Sequence, residues 1–348
     1  MTELTKGDTL LQAKQLSRHF LVRGEGGFRS KKRLVRAVDD VDLSLRAGQV
    51  LAVVGESGSG KSVLARMLSR IVEPTSGELL LNGEPVDLKH RRDLAYAREV
   101  QLVLQDPFAA INPVRRVMHS IERPLLIHGT AKSDVVARAH AVLESVSLTP
   151  PQQYLDRYPH ELSGGQLQRI NIARGLSVDP RILLADEPIS MLDVSVRLGV
   201  LNLLRSLCDG RNLAMMYITH DIASARYIAD ETVVMYAGQI VERARDMSII
   251  DEPAHPYTQL LVASVPNPES LQSRNSSLAE VRGNAGFNYE GCRFSPRCPK
   301  AMDICHGNVP PVVDVSDVHS TRCWLHATDE QRAAVVISSK PANAGVDS

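Results

Sequence analysis

The chain has 348 residues, which is enough for one large domain with an appendage or for two domains. Its 40 Lys and Arg residues balance 40 Asp and Glu residues, so it carries no basic field to attract nucleic acid. Its apolar runs fall far short of the roughly 20 residues of a membrane-spanning helix. Because the N-terminus also lacks a basic start and an apolar core, we expect a cytoplasmic protein with reduced cysteines.

The first residues predict a pair of strands. Apolar and polar residues alternate with period two over 10–16 and again over 37–45, as in strands with one buried face. The segment between them, 23–33, is Gly-rich and basic. It predicts an exposed hairpin loop.

A phosphate-binding loop comes next. Residues 49–54 form a β-branched and apolar run, typical of a strand buried on both faces of a mostly parallel sheet, and helical spacing follows over 62–71. In this setting, backbone N–H groups of the loop converge on phosphates, Lys61 reaches the β- and γ-phosphates and Ser62 reaches Mg²⁺. The loop and the residue after it are Gly55, Glu56, Ser57, Gly58, Ser59, Gly60, Lys61, Ser62 and Val63. On its own, the loop leaves kinases, GTPases and motor ATPases open.

A second Gly-rich element lies in a helical insertion. Residues 106–180 combine helical spacing with several prolines, and within them Leu162 is followed by Ser163, Gly164, Gly165 and Gln166 at the start of a helix. Small residues at a helix N-terminus expose backbone N–H groups, which makes a second anion site. The alternative is an ordinary serine N-cap.

Two carboxylates and a histidine follow strands of the predicted α/β core. Asp186 and Glu187 end the buried run that starts at Ile182, and His220 follows the strand at 213–218. In a phosphoryl-transfer site, Asp186 would hold a Mg²⁺-bound water and Glu187 would orient or deprotonate the attacking water. His220, at a carboxyl strand end, would contact the γ-phosphate. The alternatives are an acidic turn and a structural histidine.

The second Gly-rich element lies in the helical insertion and not on the sheet, so the economical arrangement is a two-fold dimer in which it completes the neighbouring chain's nucleotide site. Over residues 10–245, these motifs resemble the ATP-binding cassette (ABC) family. The resemblance implies that Gln105 senses Mg²⁺ and joins the core to the helical subdomain, that Asp193 lies in the loop crossing the dimer interface, and that Phe20 stacks on adenine, with Phe28 a weaker candidate. The family usually has alanine where Met191 stands.

The resemblance also implies a fold and a mechanism. The fold is α/β, a P-loop NTPase (RecA-like) core with an antiparallel β subdomain and a helical signature subdomain over about 106–180. We expect the nucleotide-binding domain to span residues 1–250 and a small cysteine-containing extension to span 251–348. Two such chains would hold two ATP molecules, each between Lys61 of one subunit and Ser163 of the other.

The tail narrows the family. It contains His255-Pro256-Tyr257 and four cysteines, Cys292, Cys298, Cys305 and Cys323, and is similar to importer ATPases of the oligopeptide, dipeptide and nickel group. In that group, such cysteines can ligate a [4Fe-4S] cluster, for which four thiolates are the required number. Zinc, with His306, His319 or His326 as further ligands, and free thiols are the alternatives.

The expected function is therefore ATP hydrolysis that drives an importer. Its partners would be a second ABC ATPase subunit (a paralogue or a second copy), two transmembrane permease subunits and an extracytoplasmic solute-binding protein, with no nucleic acid. The chain would lie peripherally at the cytoplasmic face of the membrane. The segment 219–227 looks like cassettes that serve oligosaccharides, so peptide, oligosaccharide and nickel all stay open. The rival functions are a soluble cassette ATPase of DNA repair or translation and a metabolic kinase.

Overall fold

The computed structural model describes residues 5–23, 32–88, 93–246, 248–264 and 287–338. The chain forms two compact units, Met1–Gln239 and Ile240–Ser348. The tip of the predicted hairpin loop, with Phe28, lies outside the described residues. Within the described ranges, no helix combines the length and the apolar character needed to cross a membrane.

The first unit contains two sheets and nine helices among its described residues. Its strands are β1 Thr9–Arg23, β2 Lys32–Arg46, β3 Val50–Val54, β4 Ser76–Leu81, β5 Glu84–Pro85, β6 Val100–Val103, β7 Ile182–Asp186, β8 Ala214–Thr219 and β9 Glu231–Tyr236. Its helices are α1 Lys61–Leu68, α2 Leu94–Glu99, α3 Pro107–Ala110, α4 Val117–Ile127, α5 Val135–Ser145, α6 Gln152–Leu155, α7 Gly164–Leu176, α8 Val194–Arg211 and α9 Ile222–Ile228.

The antiparallel sheet has the order β2-β1-β4-β5. Strands β1 and β2 are longer than the alternating pattern predicts, because their pairing continues outward until Arg23 lies opposite Lys32. The inward-facing leucines and valines of this pair, such as Leu11, Val41 and Leu43, are at most 2% exposed. The alternation therefore marks the buried face correctly.

The parallel sheet of the first unit has the order β9-β3-β8-β7-β6, and every neighbouring pair in it is parallel. All residues of β3, β7 and β8 are buried. Their continuous apolar runs are the pattern expected of strands covered on both faces. The carboxyl ends of β3, β7 and β8 lie side by side, so the loops after them share one edge.

Helices α3 to α7 and a 3₁₀ turn at Pro159–Glu161 fill the chain between β6 and β7. Within this helical subdomain, α7 packs against α3, α4 and α5. At the phosphate-binding loop, α1 ends at Leu68 and not at the predicted Ile71, because Arg70 takes a left-handed φ of 59° that breaks the helix. Ile71 is consequently 58% exposed.

The second unit holds a small antiparallel sheet in the order β11-β12-β10, formed by β10 Gln239–Ala244, β11 Val312–Ser316 and β12 His319–Arg322. Its helices include α10 Ser248–Asp251 and α11 Pro256–Ala263. The fully buried Glu242 carboxylate accepts the backbone N–H groups of Ala254 and His255 at 2.7 and 3.0 Å. His255 caps α11 by accepting the N–H of Tyr257 through Nδ1. The His-Pro-Tyr motif thus anchors a helix start to β10.

Candidate active site

The phosphate-binding loop needs its glycines for close backbone packing. A Cβ on Gly55 would lie 2.3 Å from the carbonyl oxygen of Met235, and one on Gly60 would lie 2.1 Å from that of Ala37. Gly60 also has a φ of +106°, a conformation that residues with a side chain rarely adopt. The loop is therefore wedged between neighbouring backbone segments directly before α1.

Lys61 lies inside this loop. Its side chain is 4% exposed, and Nζ donates to the carbonyl oxygens of Gly55 at 2.7 Å and Glu56 at 2.8 Å. Burial lowers the pKa of Lys61, while the charges of Glu187, Asp186 and Glu56 raise it. The nearby carboxylates thus favour the charged form of this buried amine. It lies at the N-terminus of α1, where the motif predicts contact with phosphate.

Ser62 and Asp186 meet although they are far apart in the chain. Ser62 Oγ donates to Asp186 Oδ1 at 3.0 Å, and Asp186 is 3% exposed. Burial raises the pKa of Asp186, and the hydrogen bond from Ser62 opposes this. A hydroxyl and a carboxylate are oxygen ligands of the type that Mg²⁺ prefers, so the pair fits the predicted metal.

Gln105 and His220 converge on one oxygen of Glu187. Gln105 Nε2 donates to Glu187 Oε2 at 3.1 Å, and His220 Nδ1 lies 3.3 Å from the same oxygen. Glu187 itself has a φ of 45°, an uncommon value for a residue with a side chain, directly after β7. A cavity of about 30 Å³ beside Glu187 and His220 has room for one water molecule. The local geometry suits a carboxylate that orients water.

The second Gly-rich element is a capped helix start. Ser163 Oγ accepts the N–H of Gln166 at 3.3 Å, and Gln166 Oε1 accepts the N–H of Ser163 at 3.1 Å. The ordinary N-cap weighed from the sequence is therefore present. Such a cap leaves other first-turn N–H groups without intrahelical partners, as in every helix. The anion-binding role of Gly164 and Gly165 stays a prediction.

Phe20 and Asp193 lie outside the phosphate-binding loop, in β1 and in the loop before α8. Phe20 is half-buried on β1, with the Arg18 guanidinium 4.6 Å from the centre of its ring. Asp193 is exposed and directly precedes α8. Met191, two residues earlier, is 56% exposed. Adenine stacking by Phe20 and interface contact by Asp193 stay predictions.

Two polar side chains that the sequence reasoning passed over support the site. Arg197 Nε donates to the carbonyl oxygen of Leu192 at 2.9 Å, which holds the loop before α8 beside the small cavity. Asn171, buried in α7, donates through Nδ2 to the carbonyl oxygen of Leu104 at 3.0 Å. The signal for Asn171 was available, because it is the one polar residue in the run from Ile170 to Ala173.

The four tail cysteines are unpaired in disulfides, and three of them are buried. Burial raises the pKa of the Cys292 thiol to about 11 and that of Cys323 to about 12, and raises the pKa of Cys298. Over the residues that the structure describes, no group of three or more His, Cys, Asp or Glu side chains is placed to hold a metal ion.

Comparison with known proteins identifies the family of the chain. Residues 38–190 match the family model for ABC transporters, and residues 241–305 match that for the oligopeptide/dipeptide transporter C-terminal region. A probable peptide ABC transporter ATP-binding protein, y4tS of Sinorhizobium fredii, is 38% identical over 323 residues, which cover 92% of this chain and 91% of the relative. The dipeptide transport ATP-binding protein DppF of Escherichia coli is 41% identical over 316 residues, covering 90% and 93%.

Among solved structures, the ATP-binding cassette MJ0796, in a dimeric post-hydrolysis state bound to ADP and Pi, has a TM-score of 0.59 and 25% identity, covering 68% of this chain and 98% of that one. The predicted α/β cassette fold, with its antiparallel and helical subdomains, is confirmed by this likeness. The chain belongs to the ATP-binding proteins of ABC transporters, a family of ATPases, and carries the C-terminal region of the oligopeptide/dipeptide group.

Proposed function

We propose that this chain hydrolyses Mg²⁺-ATP at the interface of a cassette dimer and thereby drives the import of peptides through partner membrane subunits. The observation that carries the proposal is the convergence of Gln105 and His220 on Glu187, beside the Ser62–Asp186 pair. The glutamate can take a proton from water, the histidine can contact the γ-phosphate, and the amide can sense the metal.

Each residue of the site has a separate task. The N–H groups of the loop and the Lys61 ammonium bind and neutralise the phosphates, while Ser62, Asp186 and Gln105 would hold Mg²⁺ or its water ligands. Bound Mg²⁺ would offset charge on the β- and γ-phosphates. Glu187 would orient the attacking water and accept its proton, and Phe20 would stack on adenine.

The dimer supplies the other half of each site. The N-terminus of α7, with Ser163, Gly164, Gly165 and Gln166, would contact the nucleotide held by Lys61 of the partner subunit, and Asp193 would lie along the shared interface. The serine cap of this 13-residue helix bonds only the N–H of Gln166, so other N–H groups of the first turn would be available to a phosphate of the partner's nucleotide. The partner is a paralogous ATPase or a second copy of this chain.

The descriptions of the relatives and the C-terminal region support a proposal for the solute and the remaining partners. The two named relatives are described as peptide and dipeptide transport proteins, which favours peptides over oligosaccharides or nickel. Two permease subunits and an extracytoplasmic solute-binding protein would complete the importer. The cassette, over residues 1–250, would lie peripherally at the cytoplasmic face of the membrane, and residues 251–348 would form the group-specific extension.

A reconstituted importer tests this function. The chain, its second ATPase, the permeases and the peptide-loaded binding protein are placed in liposomes, and ATP turnover and uptake are measured for peptides, oligosaccharides and nickel in parallel. We expect peptide-dependent uptake that Lys61→Ala abolishes. ATP turnover that is indifferent to the permeases would instead support a cassette ATPase without a transport role.

We also propose that the cysteine tail binds a [4Fe-4S] cluster. The N–H of Met302 donates to Cys305 Sγ at 3.5 Å. Hydrogen bonding from the backbone of Phe294, Lys300 and Leu325 lowers the pKa of Cys292, Cys298 and Cys323, respectively, against the larger effect of burial. Such bonds stabilise thiolates and tune cluster potentials. Because the thiols are not already grouped as metal ligands, they would have to close around the cluster. A bound cluster would cross-link the tail and add a redox centre.

The cluster has a direct chemical test. Anaerobically purified chain is analysed for iron, acid-labile sulfide and visible absorption, and we expect about four of each atom per chain. Cys305→Ser should lose both elements, whereas Cys208→Ser, which changes a buried thiol in the first unit, should retain them. Iron and sulfide absent from the unmodified chain would refute the cluster and leave the ATPase proposal intact.

A further inference from the structure

Two side chains of α7 grip the backbone on either side of Gln105. Asn171 Nδ2 donates to the carbonyl oxygen of Leu104 at 3.0 Å, and Arg174 donates to the carbonyl oxygen of Ala110. Asn171 is 1% exposed and lies three residues before the half-buried Arg174, on a neighbouring part of the helix surface. The segment that carries Gln105 is therefore fixed to the helix that begins with Ser163.

Packing does not explain an asparagine at position 171. Its neighbours in the helix, Ile170 and Ile172, are fully buried, so an apolar side chain would suit the position. Burying an amide is unfavourable unless its polar atoms are bonded, and Asn171 Oδ1 has no hydrogen-bond partner among the described groups. Within the described part of the chain, the hydrogen bond to the Leu104 carbonyl is therefore the one interaction that offsets the burial of this amide.

The Leu104 carbonyl held by Asn171 lies next to a proposed catalytic contact. Leu104 directly precedes Gln105, whose Nε2 donates to Glu187 Oε2 at 3.1 Å. Only residues 104–106 separate β6 from α3, so little slack exists between the Leu104 carbonyl and the Gln105 side chain. A shift of Leu104 is consequently transmitted to the contact between Gln105 and Glu187.

We propose that Asn171 is a positioning residue: it fixes the Leu104 carbonyl, and through it places the Gln105 amide on Glu187, so that movement of α7 carries Gln105 with it. Arg174 holds the other end of the same segment at Ala110. This inference rests on the proposed roles of Gln105 and Glu187. It links the helix that would meet the partner's nucleotide to the catalytic carboxylate of its own chain.

The test compares two similar substitutions in α7. Asn171→Leu keeps the number and branching of the side-chain heavy atoms but removes the donor, and we expect kcat for ATP to fall about tenfold, the equivalent of one net hydrogen bond. The KM for ATP should stay near that of the unmodified chain, because the phosphate-binding loop is untouched. Gln168→Leu is the matched control: Gln168 is 1% exposed, one turn earlier, and neither of its amide atoms has a hydrogen-bond partner. It should leave kcat unchanged.

A double-mutant cycle separates positioning from a general structural role. If Asn171 acts through Gln105, Asn171→Leu should cost little further activity in a Gln105→Ala background. Three outcomes would overturn this inference but leave the role of Gln105 intact. They are full additivity of the two substitutions, an equal loss of kcat in Gln168→Leu, and normal turnover of Asn171→Leu when Gln105→Ala is impaired. Normal turnover of Gln105→Ala would instead overturn the assignment of Gln105 itself, and the inference with it. All variants are measured in the full chain with its partner ATPase.

Discussion

Ser62 Oγ donates to Asp186 Oδ1 at 3.0 Å, which joins the start of α1 to the end of β7 across 124 residues of sequence. The bond places a hydroxyl and a buried carboxylate together at the carboxyl edge of the parallel sheet. This is the edge at which α/β proteins bind their ligands. We expect Mg²⁺ and the phosphates to meet at this pair.

Asp186→Asn should separate metal binding from fold stability. Burial raises the pKa of Asp186, so the folded protein carries a cost for this charge that the neutral amide removes. We expect the nucleotide-free variant to melt at the same or a higher temperature. The additional rise in Tm that Mg²⁺-ATP gives the unmodified chain should be lost. A variant that melts lower without ligand yet keeps the Mg²⁺-dependent rise would contradict the assignment.

Glu187→Gln should stop turnover while preserving nucleotide binding. The amide keeps the shape of the side chain but cannot accept a proton, and loss of a general base reduces rates by about 10²- to 10⁴-fold. Steady-state phosphate release and equilibrium ATP binding provide the two measurements. The exposed Glu144→Gln in α5 serves as the control and should behave as the unmodified chain. Hydrolysis near the normal rate would exclude Glu187 as the base.

The two glycines of the second Gly-rich element should respond differently to alanine. A Cβ on Gly165 would lie 2.6 Å from Val196 Cγ1, whereas one on Gly164 would lie 3.8 Å from Leu192 Cδ2, an ordinary contact. Gly165→Ala should therefore lower the free energy of unfolding by about 1–3 kcal/mol, and Val196→Ala should partly restore it. Gly164→Ala should leave stability unchanged, so any lost ATPase activity reports on nucleotide contact. Equal stability losses in chemical denaturation would contradict this packing.

The second unit should lose stability in mild acid. Burial lowers the pKa of His255 to about 4 from 6.5, with His326 adding to this and Glu242 opposing it. Between those values the unfolded chain binds more protons than the folded one, so the free energy of unfolding falls as the pH drops from 6.5 to 4. The expected loss is up to about 3 kcal/mol.

Trp324 offers a specific probe of that loss. It is the sole tryptophan of the chain and is 2% exposed in the second unit, so its fluorescence follows the unfolding of that unit. His255→Asn, which keeps a helix-capping acceptor but does not titrate, should flatten the pH dependence. His306→Asn, at an exposed position of the same unit, should not. Identical pH profiles for the unmodified chain and His255→Asn would contradict the assignment.

Sequence patterns predicted that the nucleotide-site residues lie together, because each of them lies at or just after the carboxyl end of a strand. Local composition identifies the loop before Lys61, the acidic pair at the end of β7 and His220 after β8. A parallel sheet brings the carboxyl ends of such strands to one edge. The contact between Gln105 and Glu187 depends on tertiary packing of a three-residue loop, so only the family resemblance located Gln105. Asn171 was missed because a polar residue in the short apolar run from Ile170 to Ala173 does not identify its hydrogen-bond partner until the backbone is folded.

Light scattering of Glu187→Gln with Mg²⁺-ATP tests whether two cassettes close around the nucleotide. The variant is measured alone and together with its second ATPase subunit. We expect a nucleotide-dependent dimer that holds two ATP molecules. Adding Ser163→Arg to both cassettes should abolish the dimer, while ATP binding at the Lys61 loop persists. A species that binds ATP yet remains monomeric, both alone and with the second subunit, would rule out the cassette dimer.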